Sequence, residues 1–250
     1  MLLTYTNSFW GYGGYGTGLF FDPTYLLVLA GLILCLLAQA GVKSTFAKYS
    51  RVRSRSGLTG AEAARRIMEL NGIYDVRIER VAGNLTDHYD PTKKVLRLSD
   101  SVYSSSSIAA IGVAAHESGH AIQHANGYAP LVLRSIMVPV ANIGSRLAMP
   151  LILLGIIFSF TSVMGNSLIT FGILLFGISV LFTLITLPVE FNASRRAVKC
   201  LESSRILYDD ELAGTKKVLS AAAMTYVASA AVALANFIRL IVIFGGRRRD

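Results

Sequence analysis

The sequence predicts a mainly α-helical membrane protein, with about four transmembrane helices and a small cytoplasmic α+β domain. Three observations carry that prediction. Hydrophobic residues make up 53% of the 250 residues against 16% charged, and mean hydropathy is +0.52, more apolar surface than a soluble domain of this size can cover. Uncharged stretches long enough to cross a bilayer recur along the chain. Basic residues collect at the ends of those stretches.

That placement accounts for the formal net charge of +9. Lys43, Lys48, Arg51, Arg53 and Arg55 follow the first apolar stretch, Arg195, Arg196 and Lys199 follow the third, and Arg247 to Arg249 follow the last. The positive-inside bias produces this pattern without a phosphate backbone as partner, so nucleic acid is not expected. The clusters set topology or meet anionic lipid of the bilayer. Cys35 lies in an apolar segment and Cys200 in a basic one, which indicates reduced thiols rather than a disulfide framework.

Residues 1–23 form an aromatic, Gly-rich segment whose one charge is Asp22, with no basic start of the kind a cleavable signal carries. It is expected at the outer interface. Tyr25 to Val42 is 18 residues without a charge, about the minimum for a hydrocarbon core of roughly 30 Å, so 24–42 is the first membrane helix. Five basic residues after it and none before it place the N-terminus outside and residue 43 onward in the cytoplasm of a multi-pass cell-membrane protein.

Residues 43–134 read as the polar domain. Thr59 and Glu62 match a helix-starting capping box, and Gly72 supplies the stop. Val76, Ile78 and Val81 alternate with charges as in a half-buried strand. "NLTDHYDPTKKVLRLS" reads as an edge strand, a turn at Asp90-Pro91 and a returning strand from Lys94 to Ser99. A Ser-rich start then opens an apolar helix over 106–126, ended by Asn126-Gly127.

Leu147 to Val189 is 43 residues without a charged side chain. A single straight helix of that length would run about 64 Å, roughly twice the hydrocarbon thickness, so 135–189 is expected to fold into a transmembrane hairpin. "MGNS", 164–167, is the expected turn. The chain returns to the cytoplasm at Glu190, and 190–217 is a cytoplasmic segment. Residues 218–246 are Ala-rich and interrupted by Arg239, which suits a fourth membrane helix or a re-entrant one.

Chemistry concentrates in "AAHESGHAIQHA". His116 and His120 are i and i+4, so on a helix both rings leave one face a turn apart and can grip a single Zn²⁺. Glu117 lies about 100° round, where it can reach a water beside the ion and act as general base. The competing reading is an exposed polar stripe. Against it, three ionisable groups amid Ala, Gly, Ile and Val are expensive to bury without a cation.

Zinc needs a third protein ligand and an open position. His124 is eight residues from His116, about 12 Å of rise along a continuous helix, so it lines the site or caps the helix end. His88, on the expected edge strand, is a candidate for contacting substrate, or else a solvated turn residue. Glu190 is the strongest ligand candidate: it is the first charge after the 43 uncharged residues and follows Pro188 by two. A carboxylate at that depth asks for a cation. Its alternative role is to pair with Arg195 or Arg196.

"FFDPTYLLVL", "LTDHYDPTKKVLRLSDSVY", "AAHESGHAIQHA" and "LPVEFNASRRA" together resemble the YugP-type membrane zinc metallopeptidases of bacteria, from about Phe20 to Phe244. The resemblance implies a zinc-dependent peptidase, an endopeptidase, with one Zn²⁺ per chain, His116 and His120 as ligands and Glu117 as base. More distantly the layout is similar to HtpX-type peptidases. That likeness implies a zincin-like domain, Glu190 as the third ligand, and substrate pairing with an edge strand corresponding to residues 85–98. Ser194 departs from the pattern, standing where those relatives carry Asp. The implied partner is a peptide or protein substrate, a membrane protein among the options, and no feature specifies an oligomeric state. A non-catalytic scaffold with a structural zinc is the alternative. A transporter is disfavoured because the long apolar stretches Tyr25 to Val42, Leu147 to Val189 and Val218 to Gly246 hold one charge between them, Arg239.

Overall fold

A computed structural model of the chain describes residues 24–159 and 163–245. The N-terminal segment 1–23, the link at 160–162 and Arg247 to Arg249 lie outside the described residues. The elements in order are α1 (Tyr25–Tyr49), α2 (Gly60–Leu70), β1 (Arg77–Val81), β2 (His88–Asp90), β3 (Val95–Ser99), α3 (Asp100–Tyr103), α4 (Ile108–Ala125), α5 (Ala129–Ser159), α6 (Val163–Ser203) and α7 (Asp209–Gly245). The described residues are thus mainly helical, with one small sheet.

α1, α5, α6 and α7 are each long and apolar enough to cross a membrane. They stand in a row, α1 packing on α7, α7 on α6 and α6 on α5. The 43 uncharged residues do fold back, but the turn is not at "MGNS". α5 runs to Ser159 and α6 is already helical from Val163, so residues 164–167 belong to α6. Gly165 serves close packing instead: a Cβ built on Gly155 of α5 would meet the Gly165 carbonyl oxygen at 2.8 Å. Small residues in membrane helices commonly mark such contacts rather than turns.

Nor does the chain leave helix at Glu190. α6 passes through Pro188 and Glu190 and on to Ser203 without a break. α7 likewise begins well before its apolar part, at Asp209, with Asp209, Asp210 and Glu211 in its first turn where the helix dipole favours them. Arg239 is accommodated at the far end of α1: its Nε donates to Thr24 Oγ1 at 2.8 Å, and its guanidinium lies 4.2 Å from the Tyr25 ring centre.

The smaller part forms as its sequence predicts. Thr59 and Glu62 make the capping box of α2, and Gly72 and Gly127 end α2 and α4 with φ of +71° and +58°. The sheet order is β1-β3-β2, with β3 parallel to β1 and antiparallel to β2, so β2 is an edge. β3 is the inner strand, and Val95, Leu96 and Leu98 on it are fully buried. With Ala63, Ile67, Ile108, Ile111 and Leu201, Leu96 and Leu98 form a core between α2, the sheet, α4 and the C-terminal part of α6. α4 lies at its centre, against α2 on one side and α6 and α7 on the other.

Candidate metal centre

α4 is built to be approached. Its Ser107 cap accepts from the Ala110 amide, and its small residues let neighbours come to backbone contact. A Cβ on Gly119 would stand 2.6 Å from the Ala193 carbonyl oxygen, so α4 crosses α6 at the glycine between the two histidines. Glu190 lies one helical turn before Ala193. The crossing therefore sets His116 and His120 opposite it.

Three side chains converge there. His116 Nε2 is 3.2 Å and His120 Nε2 3.6 Å from the same oxygen, Oε2 of Glu190. The ligand atoms of His116, His120 and Glu190 all lie within 4.8 Å of one another and could hold a metal ion. Glu190 is 2% exposed, His120 8% and Glu117 9%. Burial works against charge on His120, but the Glu190 and Glu117 carboxylates outweigh it and raise its proton affinity above the ordinary imidazole value. The pocket favours positive charge where the nitrogens meet.

This donor set fits zinc. Tetrahedral zinc with bonds of about 2.0–2.2 Å needs donor atoms about 3.4 Å apart, and the two Nε2–Oε2 separations of 3.2 and 3.6 Å bracket that edge. A simple ion pair needs one imidazole. Here two aim at one oxygen.

The far side of each of these three side chains is held as well. His116 Nδ1 lies 3.1 Å from Ser194 Oγ, so a hydroxyl holds this ring. His120 Nδ1 lies 3.0 Å from Gln123 Oε1. The second oxygen of Glu190 accepts from Arg134 Nη1 of α5 at 3.2 Å, so its basic partner is neither Arg195 nor Arg196. Arg196 instead donates to Asn192 Oδ1 at 2.7 Å. Tyr226 of α7 stands within electrostatic reach of Glu190, Glu117 and Arg134.

The remaining predicted residues lie outside the cluster. His124 Nδ1 is 2.8 Å from the Tyr89 hydroxyl and ties the end of α4 to β2. His88 is exposed on β2, bonded to the Thr86 carbonyl at 2.9 Å and approached by Arg97 Nη1 at 3.4 Å. Arg134, Gln123 and Tyr226 were not legible as site residues. Arg134 looks like one more topological charge, and Gln and Tyr within helices carry no signature of their own.

Comparison with known proteins follows the same lines. The family described as "Putative neutral zinc metallopeptidase" matches residues 24–245. The "Putative membrane protease YugP" of Bacillus subtilis (strain 168) is 52% identical over 219 residues, covering 87% of this chain and 95% of its own. No solved structure matches the chain.

Proposed function

The chain belongs to the family of neutral zinc metallopeptidases that this description covers, and from that premise we propose that it is a multi-pass membrane endopeptidase using one Zn²⁺. The observation that carries the reading is the convergence of His116, His120 and Glu190 at spacings that suit a tetrahedral ion. A zinc ion held there supplies Lewis-acid chemistry, polarising a peptide carbonyl and making a nearby water acidic at neutral pH. Glu117, adjacent to His116 and largely buried, accepts the proton of the attacking water and returns it to the amine nitrogen as the C–N bond breaks. Arg134 holds Glu190 by its outer oxygen, and α4 and α6 keep the surroundings dry. β2, an edge of the sheet, offers its free side to an extended substrate backbone. Charge bias puts the N-terminus outside and the site on the cytoplasmic face.

Glu117→Gln tests the reading. Purified in detergent, the variant should keep the zinc stoichiometry of the unchanged chain and lose roughly 10²–10⁴-fold of its cleavage of an unfolded protein. Undiminished cleavage would remove Glu117 as the base. A purely structural zinc favours four protein ligands, whereas His116, His120 and Glu190 supply three.

A further inference from the structure

Gln123 is fully buried, yet its side-chain amide is bonded on both sides. Its Nε2 donates to the Val189 carbonyl at 2.8 Å and to Asn192 Oδ1 at 3.0 Å, and its Oε1 faces His120 Nδ1 at 3.0 Å. The chemistry of the partners fixes this orientation. A backbone carbonyl only accepts, so the amide nitrogen must face Val189. Asn192 is turned the same way, because its oxygen already accepts from the donor-only guanidinium of Arg196. The Gln123 oxygen is left facing His120, and a carbonyl oxygen cannot donate. His120 must therefore carry its proton on Nδ1.

We propose that Gln123 is the positioning residue of the site, holding His120 through a proton on Nδ1 so that Nε2 is the atom turned toward Glu190, and registering α4 on the turn of α6 that bears the carboxylate. Val189 and Asn192 flank Glu190 in sequence, so one amide sets both the ring and the distance to its fellow ligand. The inference rests on reading the cluster as a zinc site. A ligand histidine held through its second nitrogen is a stronger base at the first and is spared the cost of reorienting.

The test begins with the metal-free, unchanged protein carrying ¹⁵N-labelled histidine, with the His120 signals assigned by their loss in His120→Gln. A hydrogen-bonded proton on His120 Nδ1 is expected, whether or not Nε2 carries a second one; an Nδ1 without a proton overturns the proposal whatever any variant does. In Gln123→Met the Nδ1 proton should lose its hydrogen bond, and zinc affinity, measured by competition with a chromogenic chelator, should fall roughly 10–100-fold. Gln123→Glu, whose carboxylate still accepts from Nδ1, should keep that bond and lose less affinity than Gln123→Met. Ile122→Ala, a neighbouring core truncation, should lower thermal stability while leaving affinity unchanged. Gln123→Met binding zinc as tightly as the unchanged chain overturns this inference alone; an unchanged chain that takes up no zinc overturns the metallopeptidase reading.

Discussion

In the small α/β part Ile67, Leu96 and Ile111 are fully buried, whereas on α1 Leu26 and Leu37 are 69% and 66% exposed. One region solves the hydrophobic problem internally and the other hands it to lipid. The difference explains where the site stands. α4 belongs to the self-sufficient core and contributes His116 and His120. α6 belongs to the lipid-covered row and contributes Glu190. Neither region completes a metal site alone, so a bound ion would cross-link the two.

Cutting that link should have the largest effect. Glu190→Ala removes the proposed third ligand and leaves Arg134 without its carboxylate, so zinc affinity should fall by more than the roughly 10–100-fold that loss of an outer partner costs. Metal analysis of the purified variant checks this, and full occupancy would reject Glu190 as a ligand. The core of α/β part should remain folded, because its buried cluster does not include Glu190.

The two packing regimes differ next in their response to truncation. Leu96→Ala opens a cavity at the centre of the sheet and should cost about 2–5 kcal/mol. Leu37→Ala on the lipid-facing side of α1 should stay within about 0.5 kcal/mol. Denaturant unfolding of the detergent-solubilised protein measures both. Comparable losses would mean that the α1 face is covered by protein.

The same contrast decides what the sequence could tell. The pairing of His116 with His120 was readable because a helix brings i and i+4 together without help from the rest of the fold. Glu190 was readable because a single carboxylate at the end of an uncharged stretch is energetically conspicuous. Arg134, Gln123 and Ser194 act only through the crossing of α4 with α6 and α5, a tertiary fact that local periodicity does not encode. Gly165 misled for a related reason: in water Gly-Asn suggests a turn, but between membrane helices glycine also admits a neighbouring backbone. The strands and the capping box were legible because they obey rules learned from water-exposed structure.

Glycine at the two helix seams offers a finer test. Gly119→Ala drives a Cβ to 2.6 Å from the Ala193 carbonyl oxygen, and Gly155→Ala drives one to 2.8 Å from the Gly165 carbonyl oxygen. Both should cost about 1–3 kcal/mol of stability through overpacking. Only Gly119→Ala separates the histidines from Glu190, so only it should also weaken zinc binding. Equal zinc affinity in the two variants would show that the α4–α6 spacing is not what sets the site.

The smallest effect distinguishes two threonines at helix starts. Thr59 accepts from the Glu62 amide, and the Glu62 carboxylate accepts from the Thr59 amide, as a helix in water requires. Thr24 caps no amide of α1 with its side chain; its hydroxyl accepts from Arg239 of α7 instead. Thr59→Ala should therefore cost about 1 kcal/mol, seen as faster amide hydrogen exchange confined to the first turn of α2. The bond from the Thr59 amide holds Glu62 below the usual carboxylate range, so its contribution is present above the unfolded pKa and lost as pH falls through the folded one. Thr59→Ala keeps that amide and, of the two bonds to the Glu62 carboxylate, removes only the hydroxyl's, so it should weaken the acid-side dependence without abolishing it. Thr24→Ala should leave exchange in the first turn of α1 little changed and loosen the α1–α7 contact, because its hydroxyl joins two helices rather than ending one.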